Sequence, residues 1–480
     1  MNGGHDMDGM SMPVGDVTPE ILLVVGAVVV LVAALFLRRE RQWWCPLLAM
    51  VALASSAVAA FAMLGGGQSS TFFGTYAADD AAVWAKLIIL AITAVVLLMS
   101  IEWFAADARG GELYALLLLS AAGAIVLASA TDLMGVLLGM LLSSATGYVL
   151  TAYHRADARS GEAGIKYYLL GALTNGAMAY GVVLLFGLGG TTTLEGLADS
   201  LIGADRVGLI AASSLVIVGL AFKLGAVPVH AWVPDVADGA PGPIAALVTT
   251  APKVGAFLAL TRVVLILPED ALGWRLLVAV LSAGTMTLGN LAALWQDDVR
   301  RLLGWSAVSQ SGYGLMAVVA LGRSELALPS LLFFLLAYAA ANLAAFGVVV
   351  ELRGRRDRGA YAGLATARPL LALALVVSFL SFVGIPPLAG FTAKLSLFAA
   401  TIDAGYAWLA VVAVINSVVS LVYYLRVIAP AYFEPLVAPI PVLGQWAYGA
   451  TLFSAVAVIA LGLLAGPFID AFLRADLLPG

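Results

Sequence analysis

From Glu20 almost to the C-terminus the chain is a succession of apolar runs, each about 18 residues or longer, and this pattern limits the fold more than any other feature. A run of that length crosses a hydrocarbon core of about 30 Å as a helix. Inside lipid the backbone must satisfy its own hydrogen bonds, which leaves helices or a closed barrel. Helices fit runs this long. The composition agrees, with 62% hydrophobic and 11% charged residues against roughly 25% charged in ordinary soluble domains. The expected fold is all-α and polytopic, with about fourteen transmembrane helices near 20–37, 46–64, 82–101, 114–131, 133–152, 165–188, 207–225, 241–264, 274–293, 300–321, 326–352, 368–402, 405–427 and 446–472.

Arginine placement tests this division, because cytoplasmic loops carry excess positive charge. Arg38, Arg39, Arg41, Arg109, Arg155, Arg159, Arg300, Arg301, Arg353, Arg355, Arg356, Arg358, Arg368 and Arg426 follow odd-numbered runs, whereas only Arg206, Arg262, Arg275, Arg323 and Arg474 fall on the other side. The bias predicts an even number of crossings with both termini extracytoplasmic. Trp43 and Trp44, beside Arg38 to Arg41, read as an interfacial anchor. Met1 to Thr18 has three aspartates and no Lys or Arg, unlike the basic start of a signal peptide, so the first run is expected to stay in the mature protein.

Several chemistries are excluded early. Cys45 is the one cysteine, which leaves no internal disulfide, cysteine-ligated cluster or Cys-based zinc site. No phosphate-binding or dinucleotide fingerprint is present, so neither cofactor nor metal is expected. His5, Asp6, Met7, Asp8, Met10 and Met12 form a polar tail better read as disordered than as a soft-metal site. A net charge of −5, scattered along the chain, gives no reason to expect a nucleic-acid partner. The partner it does imply is the lipid bilayer.

Two runs are interrupted. Gly219 to Pro243 contains Gly225, Pro228, Pro234, Gly239, Pro241 and Pro243, and Ser381 to Phe398 contains Gly384, Pro386, Pro387 and Gly390. Broken helices at membrane depth are tolerated inside protein or against water, and breaks in the seventh and twelfth runs suggest two inverted five-helix repeats. Each break carries a lysine, Lys223 and Lys394. The five lysines, Lys86, Lys166, Lys223, Lys253 and Lys394, all fall in or at the edge of apolar runs, while the arginines fall in loops or near helix ends. A desolvated lysine can exchange its proton near neutral pH and an arginine cannot, so this partition points to a proton path. A lysine at mid-bilayer costs roughly 3 kcal/mol on an insertion scale, which demands a hydrated interior and a role. Lys86, one turn into its run after Asp79 and Asp80, reads instead as snorkelling to the interface. Lys166, near Glu162, fits either reading. Pro252 should kink the chain beside Lys253 and free a carbonyl to water. His230, at the first break, is a possible relay or a structural histidine. Asn290 and Asn342 read as helix-packing or water-binding groups.

At this point the motifs resemble a known family. GLAFKLGAVPVHAWVPDVADGAPGPIAALVTTAPKVGAF, preceded by IKYYLLGALTNG and followed by DDVRRLLGWSAVSQSGYG, LAYAAANLAAFGVV, GIPPLAGFTAKLSLF and NSVVSLVYYLRV, is similar to the core of the proton-translocating antiporter-like membrane subunits of respiratory complex I. YAGLATARPL, the Tyr-Tyr-Leu-Arg run and a lysine at 394 resemble the N-type branch. The resemblance is strong over Tyr114 to Val427 and looser outside. It implies a membrane subunit of an NADH:quinone oxidoreductase with no redox centre of its own. Its partners would be other membrane-arm subunits, and quinone would be reached only through them. Lys223 would be the pumping lysine, Lys253 the connector, Lys394 the outlet and Lys166 an intake-side modulator. The implied organisation is an extracytoplasmic tail over 1–19, three helices over 20–113, antiporter-like repeats over 114–264 and 274–427, and a C-terminal helix over 428–480, in a bacterial plasma membrane.

The sequence departs from the family in one important place. Relatives carry a glutamate in the fifth helix, and the matching position here reads Met140, which cannot hold Lys223 charged. Asp132 is eight residues earlier, about 12 Å along a helix, a poor substitute. Gln310 stands where many relatives have histidine. Either Lys223 titrates without its counter-ion, or pumping is weakened and the chain mainly fills a place in the membrane arm. A multisubunit cation/proton antiporter or membrane-bound hydrogenase shares these motifs. A stand-alone solute transporter would also show broken helices, but with acids or a mixed polar set at mid-membrane.

Overall fold

The computed structural model describes residues 14–66, 69–107, 109–353, 355–436, 439 and 443–478. The His5 to Met12 tail lies outside the described residues. Every predicted apolar run coincides with a helix or a helix pair. In chain order these are α1 (Thr18–Phe36), α2 (Trp44–Ala62), α3 (Asp80–Trp103), α4 (Gly110–Ser129), α5 (Leu133–Thr151), α6 (Ala158–Gly189), the short α7 (Leu194–Ser200), α8 (Arg206–Leu224), α9 (Trp232–Gly239), α10 (Gly242–Val248) and α11 (Ala251–Leu265). A short α12 (Glu269–Leu272) leads to α13 (Trp274–Leu294), α14 (Val299–Ala320), α15 (Ala327–Glu351), α16 (Leu364–Ala367), α17 (Pro369–Val383), α18 (Ala389–Asp403), α19 (Ala407–Phe433), α20 (Gln445–Leu463) and α21 (Ala465–Leu473).

Among the described residues, twelve helical segments are long and apolar enough to cross a membrane. The remaining two predicted runs are α14, which carries Arg300, Arg301 and Gln310, and the twelfth run, split into α17 and α18. Large apolar side chains face outward, as Val58, Leu173 and Val418 do at 65–72% exposure, while Lys223, Asn290 and Glu351 are fully buried. This inversion suits a solvent of lipid tails. The Trp43 and Trp44 rings stack at 4.4 Å and remain exposed, as an interfacial anchor requires.

Two features depart from the all-helix expectation. A hairpin of β1 (Ser69–Thr71) and β2 (Tyr76–Ala78) pairs antiparallel, with Ser69 opposite Ala78. Its strands are too short for their alternation to register in sequence. The eighth run is also divided, between α10 and α11 at Thr249 and Thr250. Pro252 lacks the N–H that would bond back to Val248, so the helix cannot run through. The Lys253 amide turns to the Thr250 carbonyl, and the Thr249 carbonyl it leaves accepts the Tyr338 hydroxyl at 3.0 Å, where water was expected.

The two predicted breaks share a local design. Gly225 ends α8 and Gly384 ends α17, each in the left-handed region at φ 70° and 93°, which glycine adopts without strain. A cis X-Pro bond follows three residues later in both, at Pro228 and Pro387. Arg300 of α14 donates from Nε to the Ala237 carbonyl at 2.9 Å and from its guanidinium to Ala240, satisfying the open end of α9.

Candidate functional site: a file of buried amines

Lys223 occupies the last turn of α8, and its fully buried amine donates to Ser144 Oγ of α5 at 3.1 Å. An aromatic wall surrounds it: the Tyr167 ring centre is 6.0 Å from the amine, Tyr167 stacks on Trp232 at 4.3 Å, and Trp232 Nε1 donates to the Phe222 carbonyl across the break. No carboxylate lies within α5, and Met140 is buried one turn before Ser144. Asp132 is committed elsewhere. It caps α5 through the Met134 and Gly135 amides and accepts the Thr192 hydroxyl at 2.6 Å. The fifth helix therefore offers Lys223 a neutral hydroxyl in place of an acid.

Lys253 sits in the first turn of α11 with 2% exposure. Its amine donates to the Ala307 carbonyl at 2.5 Å and to Ser311 Oγ at 2.7 Å, both on α14. Ser311 in turn donates to the Leu224 carbonyl at 2.5 Å, the residue next to Lys223. A hydrogen-bonded bridge thus joins the second amine to the end of the helix that carries the first.

Lys394, in α18, donates to the Val383 carbonyl at the end of α17 (3.2 Å) and to Ser417 of α19 (3.0 Å), and lies 3.9 Å from the Tyr313 ring centre. It lines two hollows. One, of about 10 Å³, is shared with Gln310, Tyr338 and Ser381 and has room for about one water. Tyr338 also lies 5.6 Å from the Lys253 amine, so this hollow separates the second amine from the third. The other, of about 270 Å³, opens outward between Ser417, Val418, Ile385 and Leu395.

Lys166 is different. Half-exposed, it pairs with Glu162 at 2.6 Å and with Asp235 of α9 at 3.0 Å. Those acids border a polar hollow of about 380 Å³ with Arg159, Asp238, Asp298 and Arg301. His230 lies in the α8–α9 break against Trp305, 5.5 Å between ring centres, and takes no part in the Lys253–Ser311–Leu224 bridge. Asn290 bonds Asn416 and Tyr423, and Asn342 bonds Thr249, which makes both helix-packing groups.

Lys86 overturns its expectation. It does not snorkel: the amine is fully buried and pairs with Glu20 of α1 at 3.0 Å. Glu20 was invisible as a partner because it opens an apolar run and looks like an ordinary first-turn acid. Ser144, Ser311, Ser417, Tyr313 and Tyr338 were missed for a similar reason. Hydroxyls scattered in apolar helices carry no periodic signal.

Broken helices and buried amines in a multi-pass membrane protein are features shared with ion-translocating proteins. Residues 130–420 match the family described as NADH:quinone oxidoreductase/Mrp antiporter, TM, and the chain belongs to that family. It is 48% identical over 365 residues to NADH-quinone oxidoreductase subunit N of Mycobacterium sp. (strain JLS), covering 75% of this chain and 77% of that one. It is 44% identical over 401 residues to NADH-quinone oxidoreductase subunit N 1 of Streptomyces griseus, covering 82% and 84%. In structure it is similar to a chain of respiratory complex I from Thermus thermophilus, with TM-score 0.82, 31% identity, and coverage of 96% and 100%. A chain of the Mrp complex from Dietzia shares the fold, with TM-score 0.85, 22% identity, and coverage of 96% and 97%.

Proposed function

We propose that this chain is a proton-translocating membrane subunit of a complex I-type NADH:quinone oxidoreductase, of the N type, in a bacterial plasma membrane. It crosses the bilayer about fourteen times, with two inverted five-helix repeats among the crossings and both termini extracytoplasmic. It works beside other membrane-arm subunits, which supply the redox chemistry and the quinone site. The observation that carries this reading is the burial of three amines, Lys223, Lys253 and Lys394, each beside a helix interruption and each held by hydroxyls or carbonyls instead of carboxylates.

The proton path follows from that arrangement. The hollow around Glu162, Asp235 and Asp238 opens on the arginine-rich face and gathers protons, and Lys166 tunes its charge. Lys223 pumps, Lys253 connects and Lys394 discharges, with His230 an auxiliary group at the first break. An ammonium in low dielectric disfavours a second charge nearby, so protonating one lysine favours release from the next. Ser311 holds Lys253 against the end of the helix that carries Lys223, and the hollow between Tyr338 and Lys394 has room for about one water.

Ser144 in place of an acid favours a second reading, a subunit that holds its position in the membrane arm and pumps weakly. Proton yield per electron in membranes carrying the assembled complex separates the two. Lys223→Ala lowers the yield under the first reading and leaves it unchanged under the second.

A further inference from the structure

Outside the family-matched region, a second acid–base pair is buried on the face opposite the arginine-rich loops. Lys86 Nζ lies 3.0 Å from Glu20 Oε1, with Lys86 fully buried and Glu20 7% exposed. The Tyr76 hydroxyl donates to the same oxygen, and the Tyr76 ring centre is 5.1 Å from the amine. One carboxylate oxygen therefore faces both, the amine as an ion pair and the phenol as a donor. Among the described residues neither Oε2 nor the Lys86 amine has a hydrogen-bond partner, and both are buried.

That asymmetry is chemically informative. A desolvated carboxylate oxygen without a donor is costly, which leaves Oε2 able to accept one. A buried ion pair also roughly breaks even against apolar replacement, so tying α1 to α3 is not sufficient cause for one in lipid. The charges packed nearby do not quench the site. Asp79 is held by Arg262 of α11 at 2.6 Å, Asp80 accepts the Gly65 amide at 3.1 Å, and α2 contributes only the Ser56 hydroxyl, which bonds the Pro19 carbonyl.

We propose that Glu20 and Lys86 form a second proton-exchange site, separate from the Lys223–Lys253–Lys394 file and serving the arginine-poor face. Glu20 Oε2 takes a proton from water on that face, leaving the Lys86 ammonium as an uncompensated charge, and later returns it; only an O–H bond forms and breaks. Tyr76 lies on β2, which leads directly to Asp79, and Asp79 holds Arg262 on the helix whose first turn carries Lys253. The pair thus lies next to the Asp79–Arg262 contact, which ties this face to the helix of Lys253. This site rests on the proton-translocating reading given above.

The test compares Glu20→Gln/Lys86→Met and Lys223→Ala in the intact complex in native membrane vesicles, reading proton yield per electron alongside quinone reduction. The double variant replaces the ion pair with neutral groups of similar size, so assembly is expected to survive. A lower proton yield in the double variant supports the site. An unchanged yield there, with a lowered yield in Lys223→Ala, overturns it, and an unchanged yield in both overturns the pumping reading itself. If the double variant does not assemble, a hydrophobic carbodiimide, which attacks protonated carboxyls buried in the membrane, is applied to the parent complex. Labelling of Glu20 that rises as pH falls supports exchange, and no labelling at any pH overturns it.

Discussion

Ser311 stands between Lys253 and the end of α8: its Oγ receives the Lys253 amine at 2.7 Å and donates to the Leu224 carbonyl at 2.5 Å. The amine keeps a second acceptor, the Ala307 carbonyl, so removing the hydroxyl weakens the bridge without stranding the charge. Hydrogen bonds to charged groups contribute about 1.5–3 kcal/mol. Ser311→Ala is expected to assemble normally and slow proton transfer several-fold, while Ser311→Thr retains most of it. Stopped-flow proton release at saturating NADH reads the difference, and equal rates in both variants would remove Ser311 from the path.

The Lys223–Ser144 contact predicts how Lys223 responds to an acid. Ser144→Asp places a carboxylate at the amine, and Met140→Glu places one a turn away on the same helix. An opposite charge at close range stabilises the ammonium. Ser144→Asp is expected to move the high-pH limb of the proton-release profile upward, with Met140→Glu shifting it less. A profile that ignores both changes would show that Lys223 does not titrate during turnover.

The Asp79–Arg262 pair should set acid stability on the arginine-poor face. Burial pushes the Asp79 carboxyl up, but the Arg262 charge and donors, with the Leu478 and Ala82 amides, hold it below the usual range. A carboxylate whose folded pKa is depressed stabilises the fold above its unfolded value, near 4. That contribution is lost as pH falls through the lower folded value. Asp79→Asn leaves Arg262 buried without its charge partner, a loss of about 3–5 kcal/mol. The parent's thermal midpoint should fall below pH 4 while that of Asp79→Asn, already low, changes less. Parallel pH curves for the two would contradict this account.

Close backbone contact fixes the second break. A Cβ on Gly462 of α20 would come 2.1 Å from the Pro387 carbonyl, and one on Gly390 would come 1.8 Å from the Ser381 carbonyl. Backbone cannot yield as a flexible side chain can, and overpacking costs about 1–3 kcal/mol or more. Gly462→Ala and Gly390→Ala should both reduce assembled complex on native gels. Gly449→Ala, which meets nothing within 4 Å on the same helix, should not. Normal assembly of Gly462→Ala would mean that α20 does not clamp the break, and normal assembly of Gly390→Ala that the α17–α18 contact does not hold it.

Long apolar runs, Gly/Pro interruptions and rare lysines were legible because each is a local property. Length decides whether a segment can span, glycine and proline decide where a helix must stop, and an amine in lipid stands out by its cost. The division of the eighth run at Thr249 was half-legible, since Pro252 signalled a kink but not that Tyr338, on α15, would take the freed carbonyl. Lys86 misled for the same reason: its position after two aspartates suited snorkelling, while its partner lay on another helix.

The sequence by itself determined that this chain fills a bilayer with helices, breaks them at two glycine–proline sites, and carries amines where lipid would otherwise be. Tertiary structure alone decided which groups meet those amines: Ser144 for Lys223, Ser311 for Lys253, Ser417 for Lys394 and Glu20 for Lys86. A helix spacing specifies a face, but the partner across it comes from a distant segment brought close by packing, and no local pattern records that encounter.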